Sequence, residues 1–413
     1  MKDGKKVLFI GHDSSRTGAP LLLLYFLKWL RQQTRFEFEV LLQKGGDLAD
    51  EYRQVAPTRI LHGEVLPTLP SSLRARIRRR LIPPDSLRQR LDRLYPIETF
   101  PVVYSNTVTN GRLIREFFRQ GRTIICHAHE MRMAIERWGG PEAIESAGVV
   151  DCFVAASEAV KRDLCEILHV PAEKIKVVYE FGQPANLKNG QQRESRKRIR
   201  AQLGIEDTDI ASGMCGTTDW RKGADLFPLL AKAVSLLVPQ GGHKFIWIGS
   251  SPHSLEYQQI AHDVRFLGLN DSVSFIHKVN NPHDYLSALD LFTLTSREDP
   301  FPLVMLEAAS LGLPVLCFEG SGGGSEFVGD DAGLFVPYLD VGSMAKAIVS
   351  LGSDPDRRRV MGENARAKTH SKFSLTSQAP KLLAVIEDHM SLMCSAKKPT
   401  KSAQAALISR SSA

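Results

Sequence analysis

Two acids, Asp299 and Glu307, bracket a run of two prolines and five large apolar residues, and a third acid, Glu298, stands just before them. Pro300 and Pro302 disfavour helix ahead of them, and LVMLEAASLG then reads as a helix stopped by Gly312 and Pro314. Backbone amides at the start of such a helix, over Pro302, Leu303, Val304 and Met305 with proline itself lacking one, carry partial positive charge and suit a phosphate. Asp299 falls on the loop above that start. Glu307 falls more than a turn inside, on an apolar face, where a carboxylate needs hydrogen-bond partners. Sugar hydroxyls are one set of partners. The alternative on spacing alone is that Asp299 caps the helix and Glu307 pairs with an arginine.

A strand must bring these groups to a common edge. LDLFTLTS ends at Ser296, so Ser296 to Phe301 lies beyond the carboxyl end of a strand, where open α/β sheets bind ligands. KKVLFIGH, FEFEVLLQ, PVVYSN, TIICHAH, CFVAAS and IKVVYE are strand candidates separated by helical stretches. After a polar, charged segment the rhythm restarts with DIASGMCG, KFIWIG, VSFIH, LDLFTLTS, PVLCF and GLFVP. The pattern implies an α/β protein of two doubly wound Rossmann-like domains. We place the first over 1–185, a linker running into a basic helix over 186–207, and the second over 208–370. A helix over 371–390 is expected to return to the first domain, ahead of a small, polar, disordered tail over 391–413.

A chain of 413 residues suits two such cores. It is expected to be soluble and cytoplasmic: the start does not resemble a secretory signal, and the longest apolar run, PLLLLYFLKWL, is too short for a bilayer. Six cysteines without CxxC spacing read as reduced thiols. The formal charge of +7 is concentrated. Residues 71–93 hold eight arginines against Asp85 and Asp92, with leucines and Ile77 at helical spacing around Pro83-Pro84. Arg74 to Arg93 therefore suit an anionic membrane surface, making the protein peripheral on it, or an acidic acceptor, or form a solvated insertion. Nucleic acid is not expected, because the patch lacks interleaved aromatics.

SREDPFPLVMLEAASLGLPVLCFEGSGGGSEFV resembles the signature of the family-4 retaining glycosyltransferases of the GT-B fold: two acids separated by seven residues, then EA, a G-x-P-V strand and a glycine cluster with Glu. The matching residues are Asp299, Glu307-Ala308, Gly312, Pro314-Val315, Gly322-Gly323 and Glu326. The family's first acid is usually Glu, so Asp299 and the adjacent Glu298 both qualify. The resemblance implies that the first acid contacts the donor sugar and Glu307 the nucleotide ribose.

The likeness runs along nearly the whole chain. In GTTDWRKGADLF, which begins at Gly216, Lys222 falls on the family's phosphate-binding lysine. Thr217 replaces its usual arginine, and Arg221 is the substitute at hand. In SSRTGAPLLLLYFLKWL, Gly18 takes the place of the glycine-rich loop, and TIICHAHEM ends in the active-site histidine, His129 first and His127 second. Ser157, in FVAASEAVKRDL, is either a site residue or a plain helix cap.

The implied activity is transfer of a glycosyl group from a nucleotide-sugar to a glycan, lipid-linked or other acceptor with retained configuration, as in polysaccharide biosynthesis. The leaving phosphate would take the acceptor's proton. No cofactor is expected, and no metal: the acid pairs in DPDRRR and GDDAG read as solvated turns. Alternatives are a nucleotide-sugar 2-epimerase of similar architecture and a non-catalytic binding protein. A nicotinamide dehydrogenase fits poorly, since neither half has GxGxxG after its first strand.

Overall fold

The computed structural model describes residues 6–62, 87–182 and 189–395. Its first sheet has seven parallel strands: β1 (Val7–Gly11), β2 (Phe38–Lys44), β3 (Thr58–His62), β4 (Val102–Ser105), β5 (Thr123–Ala128), β6 (Cys152–Ala155) and β7 (Ile175–Val177), in the order 3-2-1-4-5-6-7. Its second has six: β8 (Ile210–Cys215), β9 (His243–Ser250), β10 (Val273–His277), β11 (Leu291–Leu294), β12 (Val315–Phe318) and β13 (Gly333–Val336), in the order 10-9-8-11-12-13. Every pairing is parallel. The central strands β1, β4, β6, β11 and β12 are buried at every residue, as apolar runs must be when helices cover both faces. This is the expected pair of doubly wound sheets.

Strand order reverses between β1 and β4 in the first sheet and between β8 and β11 in the second. The crevice at such a reversal is where this architecture binds ligands. One strand was not legible in the sequence. TRILH, β3, pairs only with β2 at the sheet edge, and Arg59 and His62 interrupt its apolar run.

Within the polar segment 186–207, Asn189–Gln202 is a helix. Its arginines are used in packing: Arg196 donates to the Leu289 carbonyl at 2.7 Å and to Asp290 at 2.7 Å, and Arg200 donates to Asp290 at 3.2 Å. Part of the basic segment forms the helix Leu87–Leu94, with Leu91 buried. Arg74, Arg76 and the rest of 71–86 lie outside the described residues, as do 396–413. The last helix, Leu375–Ser395, sends Ala379, Leu382 and Ile386 into the cluster that holds Val7, Phe9 and Leu30 beneath the first sheet. The two lobes meet at an aromatic group. Phe373 lies 5.2 Å from Tyr179, 5.1 Å from Phe301 and 5.3 Å from Phe327, ring centre to ring centre. Cys126, Cys152, Cys165, Cys215 and Cys317 are free, and among the described residues no helix is long and apolar enough to cross a membrane.

Candidate active site

Lys222 follows β8 and Asp299 follows β11, so the two loops flank the reversal in the second sheet. Sequence reading gave these residues separate tasks; the structure joins them. Lys222 Nζ donates to Asp299 Oδ2 at 2.6 Å, with the side chains 16% and 9% exposed. The Ser296 hydroxyl donates to the same oxygen at 3.2 Å. The geometry depends on glycine at two places. Gly223 has φ +65°, and a Cβ there would overlap the Thr295 carbonyl. Gly322 has φ +132° and bridges to Asp299, whose carbonyl a Cβ would overlap. The Lys222 stem lies over Gly216, within 3.6 Å of where a Cβ would be.

The helix Leu303–Ser310 starts at Pro302, whose side chain supplies no cap, and Asp299 does not cap it either. The amides of Leu303 and Val304 have no acceptor within the helix. Glu307 differs from the buried carboxylate expected. It is 24% exposed, with His283 Nε2 at 3.4 Å as its ion-pair neighbour. Helix periodicity is the reason: one turn of this short helix faces the gap between the lobes instead of the core. Across that gap, Tyr25 on the helix Gly18–Gln33 is held above its ordinary pKa, first by burial and then by the charge of Glu307. Thr217 hydrogen-bonds Asp219, and both line a cavity of about 240 Å³ with Gly249, Ser251 and Ser254.

On the first lobe, His129 is buried just past β5. Its Nδ1 lies 2.8 Å from Glu180 Oε1 and its Nε2 lies 3.1 Å from Asn106 Oδ1. Asn106 Nδ2 donates to the Ala19 carbonyl at 2.9 Å, which fixes Oδ1 as the face toward the ring. Burial raises the pKa of Glu180, and the contact with His129 opposes that rise. His127, the second choice, belongs to the core. Tyr104 meets its Nδ1 at 2.6 Å, and burial, then the neighbouring His129, lowers its pKa. Gly18 opens its helix at an exposed point where a Cβ would meet nothing, so packing does not require glycine there.

Residues 17–181 match the model of "Glycosyltransferase Family 4", and residues 195–368 match that of "Glycosyl transferases group 1"; together these cover most of the chain. The chain belongs to the family-4 glycosyltransferases of the GT-B fold. Two relatives are the lipopolysaccharide core biosynthesis mannosyltransferase LpsB of Rhizobium meliloti, 29% identical over 46% of this chain and 54% of that protein, and the D-inositol 3-phosphate glycosyltransferase of Corynebacterium kroppenstedtii, 30% identical over 58% and 53%. The chain thus matches about half the length of these relatives. Among solved structures, Anabaena Alr3699/HepE in complex with UDP superposes with a TM-score of 0.73 at 20% identity, covering 93% of this chain and 100% of that one. Sucrose-phosphate synthase from Thermosynechococcus elongatus gives 0.72 at 18%, covering 94% and 100%.

Two of the candidate acids bind backbone across the lobes. Both oxygens of Glu298 accept from the Met133 amide, at 3.0 and 3.1 Å. Glu326 accepts from the amides of Glu158 and Ala159, each at 2.9 Å, while the Ser157 hydroxyl accepts from Val160 at 3.2 Å. The first three amides of the helix Glu158–Ile167 are thereby satisfied. Ser157 is thus a helix cap, and Glu326 completes the cap from the opposite lobe. Burial raises the pKa of Glu298, the Met133 amide opposing. Arg221 lays its guanidinium over the first-lobe Trp138 ring at 5.7 Å.

Sequence reading missed Glu180, Asn106, Tyr25 and His283. Only the residue types gave a signal there, because each gains its place through contacts between distant segments. Among the described residues, no three His, Cys, Asp or Glu side chains converge as a metal site.

Proposed function

We propose that this protein moves a glycosyl group from a nucleotide-sugar to a glycan or lipid-linked acceptor, with retained configuration and without a metal ion. The second lobe takes the donor and the first lobe the acceptor. One observation carries this reading: Lys222, the open amides of Leu303 and Val304, and the partly exposed Glu307 border the same strand reversal. Amides and an ammonium there neutralise charge on a departing diphosphate. Glu307 is placed to accept hydrogen bonds from ribose hydroxyls, and Asp299 orients Lys222 while facing the sugar. Among the described residues, the two carboxylates beside His129 are both engaged: Glu180 is tied to His129 and Glu130 to Thr107 and the His129 amide, so neither is free to act as a nucleophile. That favours departure and attack on one face of the sugar, with the leaving phosphate accepting the acceptor's proton. The relatives that act in lipopolysaccharide core and inositol-phosphate glycosylation agree with this class of chemistry.

The test is a panel of nucleotide-sugars incubated with the wild-type protein and with Glu307→Ala. Nucleotide release by the wild type, increased by acceptor and lost in the variant, is the expected result. Donor isomerisation, binding without turnover, or near-normal release by Glu307→Ala would each overturn the proposal.

A further inference from the structure

A second cavity, of about 380 Å³, opens on the first lobe at the carboxyl ends of β2, β3 and β4. Gln43, Leu61, Arg90, Thr109, Arg112 and Glu142 are among its lining residues. It stands on the edge of the sheet that carries His129. The loop from Asn106 to Asn110 serves both places: Asn106 meets the His129 ring, and Asn110 Oδ1 accepts from Gln43 Nε2 at 2.6 Å. That hydrogen bond, with those from Asn110 Nδ2 to the Ile10 carbonyl at 3.2 Å and to Ser105 Oγ at 3.0 Å, fixes the wall.

The charge of the lining is lopsided. Arg90 and Arg112 are exposed and have no hydrogen bond or ion pair among the described residues. The lining acid, Glu142, has Arg115 at 4.0 Å on its own side. Two guanidiniums without counter-ions, beside the hydroxyl of Thr109 and the amide of Gln43, suit a sugar ring bearing a planar or tetrahedral anion.

From this cavity we infer that the acceptor is acidic: a sugar unit carrying a carboxylate or phosphate binds with its anion on Arg90 and Arg112. The inference rests on the glycosyltransferase reading and names its acceptor class. Glucuronate, glucose 6-phosphate and glucose are titrated into the full chain with UDP present at saturation, so that phosphate cannot report on the donor side. The expected result is that one or both acidic sugars bind at least about tenfold more tightly than glucose. That preference should shrink as salt rises and disappear in the double variant Arg90→Gln/Arg112→Gln. The relative strength of the two acids tells carboxylate from phosphate.

Equal binding of all three sugars, no binding of any, or an unchanged preference in the variant would overturn the inference. So would vesicles containing phosphatidylglycerol binding through these arginines while the sugars do not, which would make the face a membrane contact. UDP titration of the same samples reads the donor side separately. Failure there would count against the proposed function, while the acid preference is decided by the double variant alone.

Discussion

Lys222 and Asp299 form the contact on which stability and chemistry separate most cleanly. At 2.6 Å, with 16% and 9% exposure, the pair is close to the buried limit. Removing one partner of a buried pair costs about 3–5 kcal/mol, because the other charge stays behind; replacing both with apolar residues of similar volume is close to neutral. Some solvent reaches Lys222, which argues for the lower end, about 3 kcal/mol. In a lobe of this size each kcal/mol moves Tm by about 2–4 °C. Lys222→Met and Asp299→Leu should therefore each lower the second-lobe transition by about 6–12 °C in scanning calorimetry, and the double variant should recover most of that loss. UDP adds a second dimension. In Asp299→Leu the ammonium has lost its carboxylate, so a bound diphosphate supplies the missing counter-charge and UDP should raise Tm more than in wild type. In Lys222→Met and in the double variant the UDP shift should be smallest. Four proteins with equal UDP shifts would refute the placement of Lys222 against a diphosphate. Four equal melting points in the absence of UDP would refute the estimate of the pair's strength.

Glu180 gives a pH signature. Its folded pKa is raised by burial, so the stabilisation from its retained proton is present below the unfolded value near 4.5 and is lost as pH rises through the raised folded value. Melting curves of Glu180→Gln across that window should lack this decline, and an unchanged slope would reject the assignment. Glu298→Ala/Glu326→Ala removes four carboxylate–amide contacts between the lobes. X-ray scattering should show a larger radius of gyration, since each helix-start contact contributes about 1–2 kcal/mol; an unaltered profile would show that the aromatic group alone sets the closure. Gly322→Ala places a methyl against the Asp299 carbonyl at φ +132°, so the yield of folded protein should fall sharply. Normal yield with normal Tm would contradict the described backbone.

Much of the fold was legible because a parallel sheet buried on both faces writes itself as uninterrupted apolar runs. VLFIG, VVYS and LFTL are such runs, and all three are central strands. TRILH was not, since an edge strand has only one neighbour and tolerates Arg59 and His62. The site was legible in part. The signature located Lys222, Asp299 and Glu307, but it could not reveal that the first two neutralise each other, because 77 residues separate them. Nor could it foresee that Glu298 and Glu326 would reach the other lobe; their partners are backbone amides, which no side-chain type announces. His127 lies in β5 and His129 just past its end, two positions on, yet Tyr104 engages the former and Glu180 the latter. Pairings of this kind follow from the order of strands in the sheet.

Glu298 and Glu326 grasp main-chain N–H groups, which any residue except proline can offer. Docking of the second half is therefore largely indifferent to which amino acids its counterpart carries at those points. A lineage could exchange or remodel the first half while preserving the joint, provided the chain still begins its helices at the same places. A homologue's first half, taken with its own last helix and joined to residues 189–374, would keep those contacts.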